Sequence, residues 1–97
     1  MGAFGLYLHL GGETVITTED LIGIFDIENT TIGKATRDFL TRSERENRVT
    51  NVSYELPRSF SVCSKGKDPC DYRVYISQIS PRTLANRAKL TGISASL

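Results

Sequence analysis

The sequence predicts an α+β domain: a small antiparallel β-sheet of five or six strands, one long helix after the third strand, and a short C-terminal helix. Three observations predict it. Apolar and polar residues alternate, at the period of a half-buried strand, near the start, around the centre and again from Tyr72 to Ile79. One stretch, Ile32, Ala35, Thr36, Phe39 and Leu40, switches to helical spacing. Ser80-Pro81 then opens a second helix, with serine as N-cap and proline at the first helical position. A chain of 97 residues with 39% hydrophobic and 24% charged content makes one globular domain with a modest core. We place the domain at residues 1–90 and expect the small, polar 91–97 to fray.

Taken in order, Phe4, Leu6, Leu8 and Leu10 share one face of the first strand, with Tyr7 and His9 on the other. Gly11-Gly12 supplies a turn where positive φ costs nothing. Thr14 to Thr17 is a short strand rich in β-branched residues, broken by Thr18, Glu19 and Asp20. Leu21 to Phe25 is an apolar run whose length favours a strand. Thr30 or Thr31 can cap the long helix. Phe39 should anchor that helix on the sheet, Asp38 and Arg42 form an acid-to-base pair four residues apart, and Asn47 suits its C-terminus. The centre, Val49 to Val62, reads as strand, tight turn, strand. Pro57 cannot donate to a ladder, so it ends the pairing. In the last strand Tyr72, Val74 and Ile76 oppose Arg73, Tyr75 and Ser77. Leu84, Ala85 and Ala88 give the last helix a narrow apolar face, and Arg82, Arg87 and Lys89 decorate the rest.

Several function classes find no support. No apolar run approaches the roughly 20 residues that cross a bilayer. The apolar N-terminus has no basic segment and no clear cleavage site, so it does not read as a signal peptide. We expect a cytoplasmic protein with no membrane partner. Cys63 and Cys70 bracket a loop and could bridge it, although a cytosolic chain favours reduced thiols. Two cysteines and the lone His9 do not make a zinc site, and the carboxylates lack paired-ligand spacing, so no metal and no cofactor is expected. Neither cysteine has an adjacent histidine and Gly11-Gly12 lacks the lysine and helix of a phosphate loop, so we do not expect an enzyme.

Charge is distributed unevenly. Residues 1–33 hold five acids and no lysine or arginine, whereas 56–97 hold seven bases and two acids. Such a chain can present two oppositely charged surfaces, which suits head-to-tail self-association or an acidic partner. The alternative is that folding mixes both segments and cancels the field. The candidate cations are Arg58 in the central turn, Lys65 and Lys67 in the following loop, Arg73 on a strand face with Tyr75, and Arg48 at the head of its strand. Such positions suit contacts to phosphate, which are largely sequence-independent and salt-sensitive. The competing reading is that they are solvated surface residues, and most exposed cations contribute little. A monomer offering so few would hold nucleic acid weakly; a ring of copies would multiply the contacts.

Four ordered segments, LYLHLGGE, DLIGIFDIE, NVSYELPRSFSV and VYISQISPRTLANR, resemble the RemA/RemB family of small bacterial regulators of extracellular-matrix and biofilm genes. The likeness runs from about Leu6 to Leu90 and is nearest the RemB branch, through LPRSF and YISQISPRTL. It implies a DNA-binding transcriptional regulator that assembles into closed rings, with arginines around the rim and a fold related to LytTR-type domains. Two departures stand out. Glu19-Asp20 falls where RemA has an arginine, and Glu55-Leu56-Pro57-Arg58 matches a run of arginines of which only Arg58 survives. The expected partners are therefore double-stranded DNA and further copies of the chain. The alternative is an oligomeric interaction module acting on a protein partner or a RemA-like paralogue. In that case Glu19, Asp20 and Glu28 would matter more than Arg58.

Overall fold

The computed structural model describes residues 7–27, 33–64 and 70–90. In chain order these form β1 (Tyr7–Gly11), β2 (Thr14–Thr17), a 3-10 turn (Thr18–Asp20), β3 (Leu21–Asp26), α1 (Lys34–Arg45), β4 (Val49–Asn51), β5 (Ser59–Ser64), β6 (Tyr72–Ser77) and α2 (Pro81–Leu90). The α+β class, the helix after the third strand and the C-terminal helix are as the sequence pattern predicts. Phe4, Leu6, Thr30, Thr31, Ile32, Lys65, Lys67 and the tail 91–97 lie outside the described residues.

The strands divide differently from the expected single antiparallel sheet. β1 and β2 form a two-stranded hairpin, and the other four make a sheet of order β3-β5-β6-β4. β5 is antiparallel to both β3 and β6, but β4 runs parallel to β6. The central strand–turn–strand reading is thus corrected. β4 points as a hairpin partner of β5 would, yet β6 lies between them. Both edges of β5 are occupied by six-residue strands, so the three-residue β4 takes the free edge of β6. Residues 52–58 then cross the end of β6, a span of about 10 Å at two strand spacings.

Alternation along β5 and β6 makes two cores. Phe60, Val62 and Val74 face α1, with Phe39, Leu40, Tyr72 and Ile76 packed around them. Cys63 faces the other way, into a cluster with Leu8, Leu10, Ile16, Ile24 and Leu84. The hairpin and α2 therefore cover one face of the sheet while α1 lies on the other. Phe39 does anchor α1: its ring centroid lies 5.5 Å from that of Tyr72 and 6.4 Å from that of Phe60. Ser43, fully buried on the same helix, donates to the Phe39 carbonyl at 2.8 Å and sits 3.1 Å from the Tyr72 hydroxyl. Asp38 pairs with Lys34 at 3.0 Å rather than with Arg42. Both carboxylate neighbours are one turn away, and the earlier one is the one engaged.

Two glycines are required by their surroundings. A Cβ on Gly11, at φ 122°, would come within 3.1 Å of Gln78 Oε1, so the hairpin turn depends on its absence. A Cβ on Gly23 would meet the Phe25 ring at 2.8 Å, where the β3 register shifts.

The C-terminus of α1 ends as its sequence suggests. Asn47 is left-handed at φ 60°, and the amides of Asn47 and Arg48 donate to the carbonyls of Glu44 and Ser43 at 3.0 and 2.9 Å. This is the paired-bond stop in which C′ favours Gly or Asn. At the other end Gly33 occupies the N-cap with no side-chain cap. Asn47→Ala should lose about 1 kcal/mol, because alanine pays for the left-handed backbone, whereas Asn47→Gly should be neutral or better. Urea unfolding of the two variants checks this.

Candidate nucleic-acid interface

The sheet has two ends, and the candidate cations among the described residues divide between them. At one end β5 starts, β3 and β6 finish, and α2 begins. The Arg58 amide donates to the Ser77 carbonyl at 2.9 Å, and the Arg58 carbonyl accepts from the Ile27 amide at 3.1 Å. Arg58 is exposed, but its backbone is clamped between the ends of two strands. Buried serines fix α2 to the same place. Ser59 Oγ donates to the Ile79 carbonyl at 2.7 Å, and Ser77 Oγ donates to the Leu10 carbonyl at 2.6 Å while accepting from the Ile79 amide at 3.0 Å. Ser80 Oγ accepts from the Thr83 amide at 3.2 Å, which is the N-cap expected from Ser80-Pro81.

The result is a cleft of about 470 Å³ lined by Ile24, Phe25, Asp26, Arg58, Ser80, Pro81 and Arg82. Arg82 is the residue that sequence reading placed only on the helix surface. The β5–β6 register carries the signal that finds it: Ser59 pairs with Ser77, so the residue before β5 lies beside the chain that enters α2. Both guanidinium-bearing residues stand at the N-terminus of α2, where the helix dipole also favours an anion. Asp26 lines the same cleft, so acid from the first third of the chain meets base from the last. The charge asymmetry of the sequence is locally mixed here.

At the other end stand Arg48 and Arg73. Arg48 Nε donates to Glu46 at 2.7 Å, its NH1 donates to the Tyr72 carbonyl at 3.1 Å, and its guanidinium lies 4.4 Å from the Tyr72 ring centroid. The Glu46 hydrogen bond raises the Arg48 pKa above its ordinary value. Arg73 reaches the Asn47 carbonyl at 3.5 Å and lines a pocket with Asp20, Cys63 and Tyr75. Four residue steps along β6 separate Arg73 from Ser77, about 14 Å, so Arg73 does not reach the Arg58 end. Lys65 and Lys67 lie outside the described residues.

Other candidates take plain structural positions. His9 is exposed on β1, and its carbonyl accepts from Arg87 at 3.1 Å. Both cysteines are free, Cys63 buried and Cys70 exposed. Among the described residues no group of three His, Cys, Asp or Glu could hold a metal ion, and no helix is long and apolar enough to cross a membrane.

No family model matches the chain. It is similar to extracellular matrix regulatory protein B of Bacillus subtilis (strain 168), at 29% identity over 84 residues, covering 87% of this chain and 91% of that protein. The likeness agrees with the four ordered segments and supports a RemB-like assignment.

Burial, and then Asp20, push the Cys63 thiol up to about 12 from 9.0. Tyr75 is raised too, first by burial and then by Cys63, against a lowering by Arg73. An acid whose folded value is raised keeps its proton while the unfolded chain loses one. The Cys63 contribution to stability is therefore constant below about pH 9.0 and is lost as pH rises from there toward about 12. In the native chain at about pH 8, a thiol reagent should modify Cys70 and spare Cys63, and denaturant should expose the second thiol. Equal labelling of both in the native chain would contradict the buried placement.

Proposed function

We propose that the chain is a ring-forming, DNA-binding transcriptional regulator of extracellular-matrix genes that grips the phosphate backbone through its basic sheet ends. The observation that carries this reading is the convergence of Arg58 and Arg82 on one cleft beside a helix N-terminus. Arginine forks match phosphate oxygens, and a clamped backbone limits the ordering cost of each contact. The name of the similar Bacillus protein supports a regulatory role in matrix formation. Arg73 and Arg48 would supply contacts from the opposite end, so that one subunit touches the duplex at more than one phosphate, and Lys65 and Lys67 are the further cations that the sequence offers. Each subunit offers few cations, and closure into a ring raises the total hold through avidity. The reading needs no cofactor and no catalytic step, and it places the protein in the cytoplasm.

A second reading has its own observation. Asp26 shares the cleft with the two arginines and lowers its net positive charge. That favours an oligomeric interaction module acting on a protein partner, or on a RemA-like protein, in place of DNA.

Anisotropy titrations with a fluorescent duplex separate the two. Arg58→Ala and Arg82→Ala should each weaken binding by roughly 3- to 10-fold at moderate salt. Each should also lower the slope of log K against log salt by about 1, the signature of one lost phosphate contact. Assembly mass should stay unchanged. Affinity that ignores both substitutions removes this cleft as the contact. No duplex binding by the unmodified chain at physiological salt favours the interaction module.

A further inference from the structure

Helix α1 crosses one face of the sheet and runs from one basic end to the other. Its first turn lies at the Arg58 end, where Ala35 and Thr36 share a cleft with Phe25 and Phe60. Its last turn lies at the far end. There Ser43 Oγ sits 3.1 Å from the Tyr72 hydroxyl, and the Arg48 amide donates to the Ser43 carbonyl at 2.9 Å. The inner side of the helix is turned to the sheet: Phe39 and Leu40 pack on the core and Ser43 is fully buried. At about 100° per residue, the outer side carries Lys34, Arg37, Asp38, Thr41, Arg42 and Arg45, all of them exposed.

We propose that Arg37, Arg42 and Arg45 on this outer side are a further hold on the duplex backbone, joining the two ends of the sheet along one face. The inference rests on the DNA-binding reading and extends the contact to a surface outside the sheet ends. Among the described residues none of the three side chains makes a hydrogen bond or an ion pair, whereas Lys34 is engaged by Asp38 at 3.0 Å. The helix holds four bases against Asp38 and Glu44, an excess of two positive charges on a chain whose net charge is +1.

Spacing and chemistry fit a nucleic-acid backbone. The three arginines stand within an arc of about 140° and along a rise of about 12 Å. Duplex DNA carries one negative charge per roughly 1.7 Å of its axis, so such a length passes about seven phosphates. Three unengaged guanidinium forks match phosphate oxygens in a way that single ammonium charges do not. An anionic membrane is a poorer fit. A helix that lies in a bilayer surface buries an apolar face there. The outer side of α1 presents no apolar side chain, and its apolar side is already on the sheet.

A salt series of anisotropy titrations on the full chain tests this, with circular dichroism to confirm folding. The triple variant Arg37→Gln, Arg42→Gln, Arg45→Gln keeps good helix formers at exposed positions, so it should fold. It should bind a fluorescent duplex roughly 30-fold or more weakly at moderate salt. Its slope of log K against log salt should fall by nearly 3, and by the same amount for duplexes of unrelated sequence. Thr41→Glu sets an acid one turn from both Arg37 and Arg45 and should weaken binding by about tenfold with helix content unchanged. Arg42 and Arg45 also stand in the last turn of α1, where cations favour the helix dipole. If that is their whole role, the triple variant melts at a lower temperature but keeps its affinity and salt slope. That result overturns the helix contact and leaves the Arg58–Arg82 cleft standing. An unmodified chain that binds no duplex, whether or not vesicles of anionic phospholipid retain it, overturns both.

Discussion

The antiparallel pairing of β5 with β6 is the constraint from which the rest of the structure follows. Six residues pair with six, from Ser59 opposite Ser77 to Ser64 opposite Tyr72. Alternation then sends Phe60, Val62 and Val74 to one face and Ser59, Ser61, Cys63 and Ser77 to the other. The first face is a hydrophobic floor for α1, and truncating its central ring, Phe60→Ala, would cost about 3–5 kcal/mol. The second face is partly polar: Ser59 and Ser77 have backbone partners, whereas the buried Ser61 hydroxyl finds none among the described residues. Ser77 holds the hairpin through the Leu10 carbonyl, and Ser59 holds the entry to α2 through the Ile79 carbonyl. A buried hydroxyl that satisfies a carbonyl replaces water and fixes position as well as contributing stability.

The same pair sets the electrostatics. Because β5 begins where β6 ends, Arg58 emerges beside the first turn of α2 and therefore beside Arg82. Of the other candidate cations, Arg48 and Arg73 fall at the far end, where Arg48 is occupied by Glu46 and by the Tyr72 ring. A single subunit thus has one paired cationic position tempered by Asp26. On the proposed reading, such a subunit would hold a polyanion firmly only when repeated in an assembly.

Much of this was legible in the residues. Leu8 and Leu10 against Tyr7 and His9, Tyr72 and Val74 against Arg73 and Tyr75, and Ser80-Pro81 at a helix start are local patterns, and the structure follows them. Phe39 on the sheet and Asn47 at the helix end are also local. What was not legible depends on competition between distant segments. Val49–Asn51 has the period of a strand, but only the occupancy of both β5 edges shows that it must join β6 and run parallel. Whether Asp38 turns to Lys34 or to Arg42 depends on side chains equally near in sequence. Arg82 looked like helix decoration because its neighbour Arg58 is 24 positions away in the chain and is brought close only by the β5–β6 register.

Native-state hydrogen exchange measures that frame most directly, at the amides of Arg58, Ile27 and Leu84. The first donates to Ser77, the second to the Arg58 carbonyl and the third to Ser80, so together they report the clamp that joins β3, β5, β6 and α2. If the central pair holds them, all three exchange only with global unfolding, at the same free energy as the amides of Val62 and Val74. Exchange of Arg58 and Leu84 at the rate of an open loop, while the sheet amides stay protected, would show that the cationic end is not fixed by the sheet.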